Sequence, residues 1–308
     1  MEVTDDRFRV MASTTQVVLV DPTPTAHREI RRRLEELEHR WSRFLPSSDL
    51  SRLNSSPGVP LAVGADTIRL VDAMCLANHA TGGRYDPTLL HQLITLGYST
   101  SIDDSELITV AVDSRRPDQT INDAQIDRRA STMMLPVGLS IDPGGIGKGF
   151  AADLVVTEAL ESGTAGALVS IGGDIAAAGR PPTDGGWLID VADPFGGGPV
   201  TTIQVSAGGI ATSSTRSRRW TSEGESRHHL IDPITGTMSL TDLASVTVVA
   251  SAGWLAEAHA SAALLCGSAG AMAYLVDHGL SGIVIDADGG TTRTSDLLVP
   301  DPTMVVML

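Results

Sequence analysis

Hydrophobic and polar positions change period several times along the 308 residues, and each change marks an element. Residues 8–20 alternate and are rich in valine, which predicts an opening strand. The run AHREIRRRLEELEHRW at 26–41 has a helical period with its charges on one face. The polar stretch SSDLSRLN at 47–54 is turn-rich and carries a helix-cap signature, and residues 66–80 predict a further helix leading into the loop TGGRYDP at 81–87. Several short strands are expected within 106–142, LITVAV among them. FAADLVVTEALES at 150–162 predicts a helix, followed by the strand GALVSIG and a Gly-Gly-Asp turn at 172–174. Strands recur at WLIDVAD, TTIQVS and SVTVVA, before the small-residue helix GWLAEAHASAALLCG at 253–267, a helix near 268–278 and closing edge strands. Antiparallel-looking strands interleaved with helices predict an α+β fold with mixed, largely antiparallel sheets. There is no internal repeat and no long linker, so 8–308 reads as one domain.

Composition narrows the function. A formal charge of −15 argues against nucleic-acid and anionic-membrane partners, which need basic surface. Cys75 and Cys266 stand alone in apolar runs and form neither a disulfide framework nor a metal ribbon. The opening residues are acidic and lack an apolar run of signal-peptide length, and no stretch has the roughly 20 apolar residues of a membrane span, so the reading is a cytoplasmic chain without membrane insertion. Of 22 basic residues, Lys148 is the single lysine. A compact ammonium retained in a chain that otherwise uses arginine points to a position where shape and donor geometry matter.

Lys148 lies in LSIDPGGIGKGF at 139–150, a strand, a glycine turn and a helix start. Backbone N–H groups at such a start attract anions. Neither a Walker A loop nor a dinucleotide fingerprint is present, because position 149 is glycine and the glycine spacing differs. Glu257 and Ser261 are spaced i, i+4 on one helix, a pair suited to Mg²⁺ and equally to an exposed glutamate above a packed serine. His229 precedes a short apolar strand and an Asp-Pro turn, where it is a candidate general base or a structural histidine. Asp174 could meet a ribose or a phosphate-bound water, or cap its own turn.

Eight segments in order along the chain together resemble the ApbE-type flavin transferase family. FRVMAS at 8–13 is similar to its F-x-x-M-G-T. Ser42-Arg43-Phe44 with SSDLSRLN at 47–54 resembles S-x-Y/F…S-E-L-S-x-x-N. GRYDPT at 83–88 resembles G-A-F-D-P-T, and DPGGIGKGF at 142–150 resembles D-x-G-G-I-A-K-G-Y. Gly172-Gly173-Asp174, Ala211-Thr212-Ser213 and HLIDPITG at 229–236 resemble G-G-D, A-T-S-G and H-I-I-D-P-x-T-G, and AEAHAS at 256–261 resembles A-D-A-x-A-T. The resemblance implies two intimate lobes around a cleft that binds FAD as substrate. The implied FAD contacts are Met11, Phe44, Arg84, Tyr85, Asp86, Asp142, Lys148 and Leu230, with Asp174 beside them. It implies Mg²⁺ held by the Gly145 carbonyl, Glu257 and Ser261. The implied reaction is transfer of FMN from FAD to a Thr or Ser hydroxyl of an acceptor protein, with release of AMP. His229 is the candidate base, and Asp142 or Asp232 orients or replaces it. The alternatives are an FAD diphosphatase and a non-catalytic FAD-binding protein. Four positions depart from the family pattern: Glu257 stands for Asp, Ser261 for Thr, Ser214 for Gly and Arg84 for a small residue.

Overall fold

The computed structural model describes residues 1–101, 106–109, 116, 118–222 and 225–299. Its centre is an eight-stranded sheet: β1 (Val3–Val10), β2 (Ser13–Val20), β3 (Gly166–Ile171), β4 (Asp174–Gly179), β5 (Gly208–Ser214), β6 (Leu243–Ala250), β7 (Ser281–Asp286) and β8 (Thr291–Arg293). Spatial order follows chain order, and every neighbouring pair is antiparallel. This is the α+β class expected, with antiparallel pairing in every described ladder.

Period-two alternation distributes side chains between two faces. On β3, Ala167, Val169 and Ile171 join one core and Leu168 the other. Helices α1 (Ala26–Trp41), α3 (Ala65–Ala80) and α5 (Gly147–Glu161) fill the first face, where Ile30, Leu34, Leu37 and Trp41 of α1 meet Val17, Leu19 and Val169. A hairpin of strands 187–192 and 199–205 covers the opposite face with Trp187, Ile189 and Ile203. Helices α6 (Gly253–Leu265) and α7 (Gly267–Asp277) form a third cluster with β5 and β6. Short helices α2 (Asp49–Ser55) and α4 (Leu90–Thr95) are also present.

The opening segment 8–20 is not one strand. Met11 and Ala12, each at φ 53°, form a tight turn between β1 and β2. Positive φ at both positions matches the turn that joins twisted antiparallel strands. Neither residue is a turn former, so the alternation runs through the reversal unmarked. Ser48 caps α2 by accepting from the Ser51 N–H at 3.0 Å, as the cap signature predicts. Half of the expected strand LITVAV, 110–112, falls outside the described residues; Ile108 makes an isolated bridge to Thr100.

Candidate active site

Helix α6 explains why a carboxylate stands where it does. It is lined by buried Ala256, Ala258, Ala260, Ala262 and Ala263, and Glu257 is itself only 5% exposed. The exposed-glutamate reading is therefore wrong. A buried carboxylate needs a partner, and Glu257 has two. Its Oε1 accepts from Lys148 Nζ at 2.9 Å and its Oε2 from the Gly149 N–H at 2.9 Å.

That bonding requires α5 and α6 to approach backbone to backbone. A Cβ placed on Gly149 would lie 2.5 Å from the Gly253 carbonyl oxygen. Asp153, one turn further along α5, caps α6 by accepting from Gly253 N–H at 2.8 Å and Trp254 N–H at 3.0 Å. Burial pushes the Asp153 carboxyl up to about 6.

Lys148 also donates to Asp174, the first residue of β4. Gly172 and Gly173, at φ 62° and 95°, make the two-residue turn that delivers Asp174 there. Burial lowers the Lys148 ammonium from its ordinary value, and Glu257 opposes that shift. The ammonium thus sits between two carboxylates.

Asp142 N–H donates to the Pro87 carbonyl at 2.8 Å, joining the 142–145 loop to the Arg84-Tyr85-Asp86 turn. Buried Asn54 holds the preceding residue from both sides: Ile141 N–H donates to its Oδ1 and its Nδ2 donates to the Ile141 carbonyl, each at 2.8 Å. The Tyr85 ring lies against Gly145, which has φ 88°. Burial and the Glu257, Asp142 and Asp86 carboxylates hold the Tyr85 phenol well above its usual range.

Two adjoining cavities of about 220 and 390 Å³ share Asp142, Gly144, Lys148, Arg218 and Glu257 in their walls. The first has a mixed polar and apolar lining and brings together Arg84, Tyr85, Asp86, Gly145, Asp174, His229, Leu230 and Ser261. The second is lined by Met11, Trp41, Arg43, Phe44 and Leu45. All thirteen residues singled out as catalytic, cofactor-binding or metal-binding line one cavity or both, while Asp232 lines neither. His229 keeps an unpaired, buried Nδ1, and burial together with the Arg218, His228 and Lys148 charges drives its pKa well below 6.5. Ser261 Oγ lies 2.8 Å from Ser213 Oγ. Three wall residues escaped the sequence reading. Arg218 is held at φ 47° and Arg43 is buried, yet nothing sets either apart from the other arginines, and Ser213 was read only as part of a motif.

Carbonyl, carboxylate and hydroxyl oxygens from Gly145, Glu257 and Ser261 line one cavity and suit a hard dication that keeps several waters. Among the described residues, no group of three His, Cys, Asp or Glu side chains is placed to hold a metal by itself.

Fold and site define a class first: an antiparallel α+β protein with a two-lobed ligand cleft centred on a lysine between two carboxylates. The chain belongs to the ApbE family, whose family model matches residues 11–284. Among curated relatives, the FAD:protein FMN transferase of Treponema pallidum (strain Nichols) is 28% identical over 250 residues, 76% of this chain and 69% of that protein. The FAD:protein FMN transferase of Vibrio cholerae is 27% identical over 253 residues, 81% of this chain and 75% of that protein. The crystal structure of the ApbE protein from Thermotoga maritima superposes with a TM-score of 0.82 at 24% identity, covering 96% of this chain and 97% of that one. The Pseudomonas stutzeri flavinyl transferase ApbE in its apo form gives 0.79 at 24% identity, covering 96% and 95%. These structures share the fold.

Proposed function

We propose that this chain is an FAD:protein FMN transferase that moves FMN from FAD to a Thr or Ser hydroxyl of an acceptor protein and releases AMP. The observation that carries this reading is the position of Lys148, the single lysine, where the mixed and the apolar cavities join. FAD has two ring systems joined by a diphosphate, so a ring in each cavity brings the diphosphate over the ammonium. Met11 and Phe44 then contact one ring, while Arg84, Tyr85, Asp86 and Leu230 surround the other, and Asp174 and Glu257 orient the ammonium.

In the reaction, the acceptor hydroxyl oxygen attacks the phosphorus on the riboflavin side. The bond from that phosphorus to the bridging oxygen breaks, and the bridging oxygen leaves with AMP. The hydroxyl proton passes to His229, whose imidazole is neutral because burial and neighbouring cations disfavour its charged form. Asp142 orients groups at the joint of the cavities. Lys148 and Arg218 stabilise charge on the non-bridging oxygens. Mg²⁺ would be held by Gly145, Glu257 and Ser261, and it supplies charge neutralisation at the diphosphate.

The test is incubation of the full chain with FAD, Mg²⁺ and a Thr-containing acceptor peptide. The reading expects an FMN mass increment on the peptide, one AMP per increment, and loss of both with EDTA. Free FMN without a modified peptide would identify a diphosphatase instead, and bound, intact FAD with several acceptors a non-catalytic FAD-binding protein.

A further inference from the structure

The apolar lobe contains a cation to which the proposed reaction assigns no task. Arg43 stands at the unspecified position between Ser42 and Phe44, and it is only 4% exposed. Its Nη2 donates to the Tyr98 carbonyl at 3.1 Å, and its Nε lies 3.9 Å from Asp142 Oδ1, beyond hydrogen-bond reach. The guanidinium carbon is 4.6 Å from the Phe44 ring centroid and 4.5 Å from that of Tyr98, so both rings flank the cation. Nη1 is buried and has no partner among the described residues. Trp41, two residues earlier in the same wall, has an unpartnered and buried Nε1–H as well.

Holding the Tyr98 segment requires only Nη2. An unpaired buried donor is costly, and two in one cavity wall leave a demand that a ligand can meet. Both unmet groups are donors. The dione edge of an isoalloxazine presents two carbonyl oxygens as acceptors on either side of a single N3–H donor, whereas the amine-bearing edge of adenine presents ring-nitrogen acceptors around an NH2 donor and no carbonyl oxygen.

We propose that Arg43 is a specificity-determining residue whose Nη1 donates to the dione edge of the isoalloxazine bound in the apolar lobe. This rests on the FAD reading above.

The experiment measures binding of FAD, FMN and ADP to the wild-type chain, Arg43→Met and Arg43→Lys by fluorescence quenching and calorimetry. A lost hydrogen bond from a charged donor corresponds to about tenfold or more in affinity. Arg43→Met is expected to weaken FAD and FMN by that factor while ADP stays within twofold. Arg43→Lys is expected to recover part of the loss, because a point charge replaces the planar fork. On the wild-type chain, FAD with the C2 or C4 carbonyl replaced by thiocarbonyl, a poorer acceptor, is expected to bind more weakly in at least one case. That gap should vanish in Arg43→Met. Unchanged FAD affinity in Arg43→Met, a loss that falls on ADP, or a thiocarbonyl gap that survives the substitution would overturn the assignment. If Arg43→Met does not fold, the absence of any thiocarbonyl gap on the wild-type chain overturns it alone. Failure of the wild-type chain to bind FAD at all would overturn the FAD reading with it.

Discussion

Gly149→Ala separates two effects of opposite sign. In an ordinary helix interior, replacing glycine by alanine stabilises by about 0.5–1 kcal/mol, through backbone entropy. Gly149 is the third residue of α5, in its first turn, and the new methyl would lie 2.5 Å from both the carbon and the oxygen of the Gly253 carbonyl and 2.8 Å from the Trp254 nitrogen. Those are backbone atoms at the start of α6 and cannot rotate away. Restoring a contact of about 3.4 Å means moving one helix by roughly 0.9 Å, and overpacking of this kind costs about 1–3 kcal/mol. With rigid backbone on both sides the upper part of that range applies, so the net expectation is a destabilisation of about 1–2 kcal/mol. The displacement also stretches the 2.9 Å bonds from Gly149 N–H and Lys148 to Glu257, so FAD turnover should fall with stability. Gly253→Ala meets its nearest atom at 2.8 Å and should do less harm. Urea unfolding with a parallel transfer assay measures both. A Gly149→Ala chain as stable and active as wild type would refute the claim that this helix crossing sets the Glu257–Lys148 register.

Asn54→Ala leaves the Ile141 N–H and carbonyl unpaired and should cost about 3 kcal/mol in urea unfolding; a loss below about 1 kcal/mol would show that the loop is held otherwise. Because the folded-state pKa of Asp153 is raised from 3.8 to about 6, its contribution to stability is full below 3.8 and is lost as pH rises through 6. Relative to Asp153→Asn, the wild-type chain should therefore lose up to about 3 kcal/mol between pH 4 and 7, and parallel stability curves would contradict this. His229 has its pKa depressed well below 6.5, so the transfer rate should hold from pH 8 down past 6.5 and fall only in more acid solution. His229→Ala should slow transfer by about 10²–10⁴-fold and remove that acid limb; an acid limb centred at or above 6.5 would assign the base elsewhere.

Much of this architecture is legible in the chain because local pattern and tertiary placement agree. Ile30, Leu34, Leu37 and Trp41 face the core at the spacing that announces α1. Disagreement arises where context overrides propensity. The alanine-rich run 174–179 has weak strand preference, yet it forms β4 because β3 and β5 pair with it on both sides. In the site, Lys148 stood out by composition and Glu257 by helical spacing. Their bond crosses 109 residues and arises from the Gly149–Gly253 contact, which no local pattern encodes. Arg43 and Arg218 escaped notice because arginine is the default cation of this chain, and burial alone distinguishes Arg43.

The most direct test of the central claim is the oxygen content of the products when FAD, Mg²⁺ and acceptor peptide react in oxygen-18-labelled water. Attack by the acceptor hydroxyl on the riboflavin-side phosphorus predicts FMN-peptide and AMP that both carry only unlabelled oxygen. Labelled FMN would mean that water is the nucleophile, and labelled AMP that the other phosphorus is attacked; either result would contradict the account.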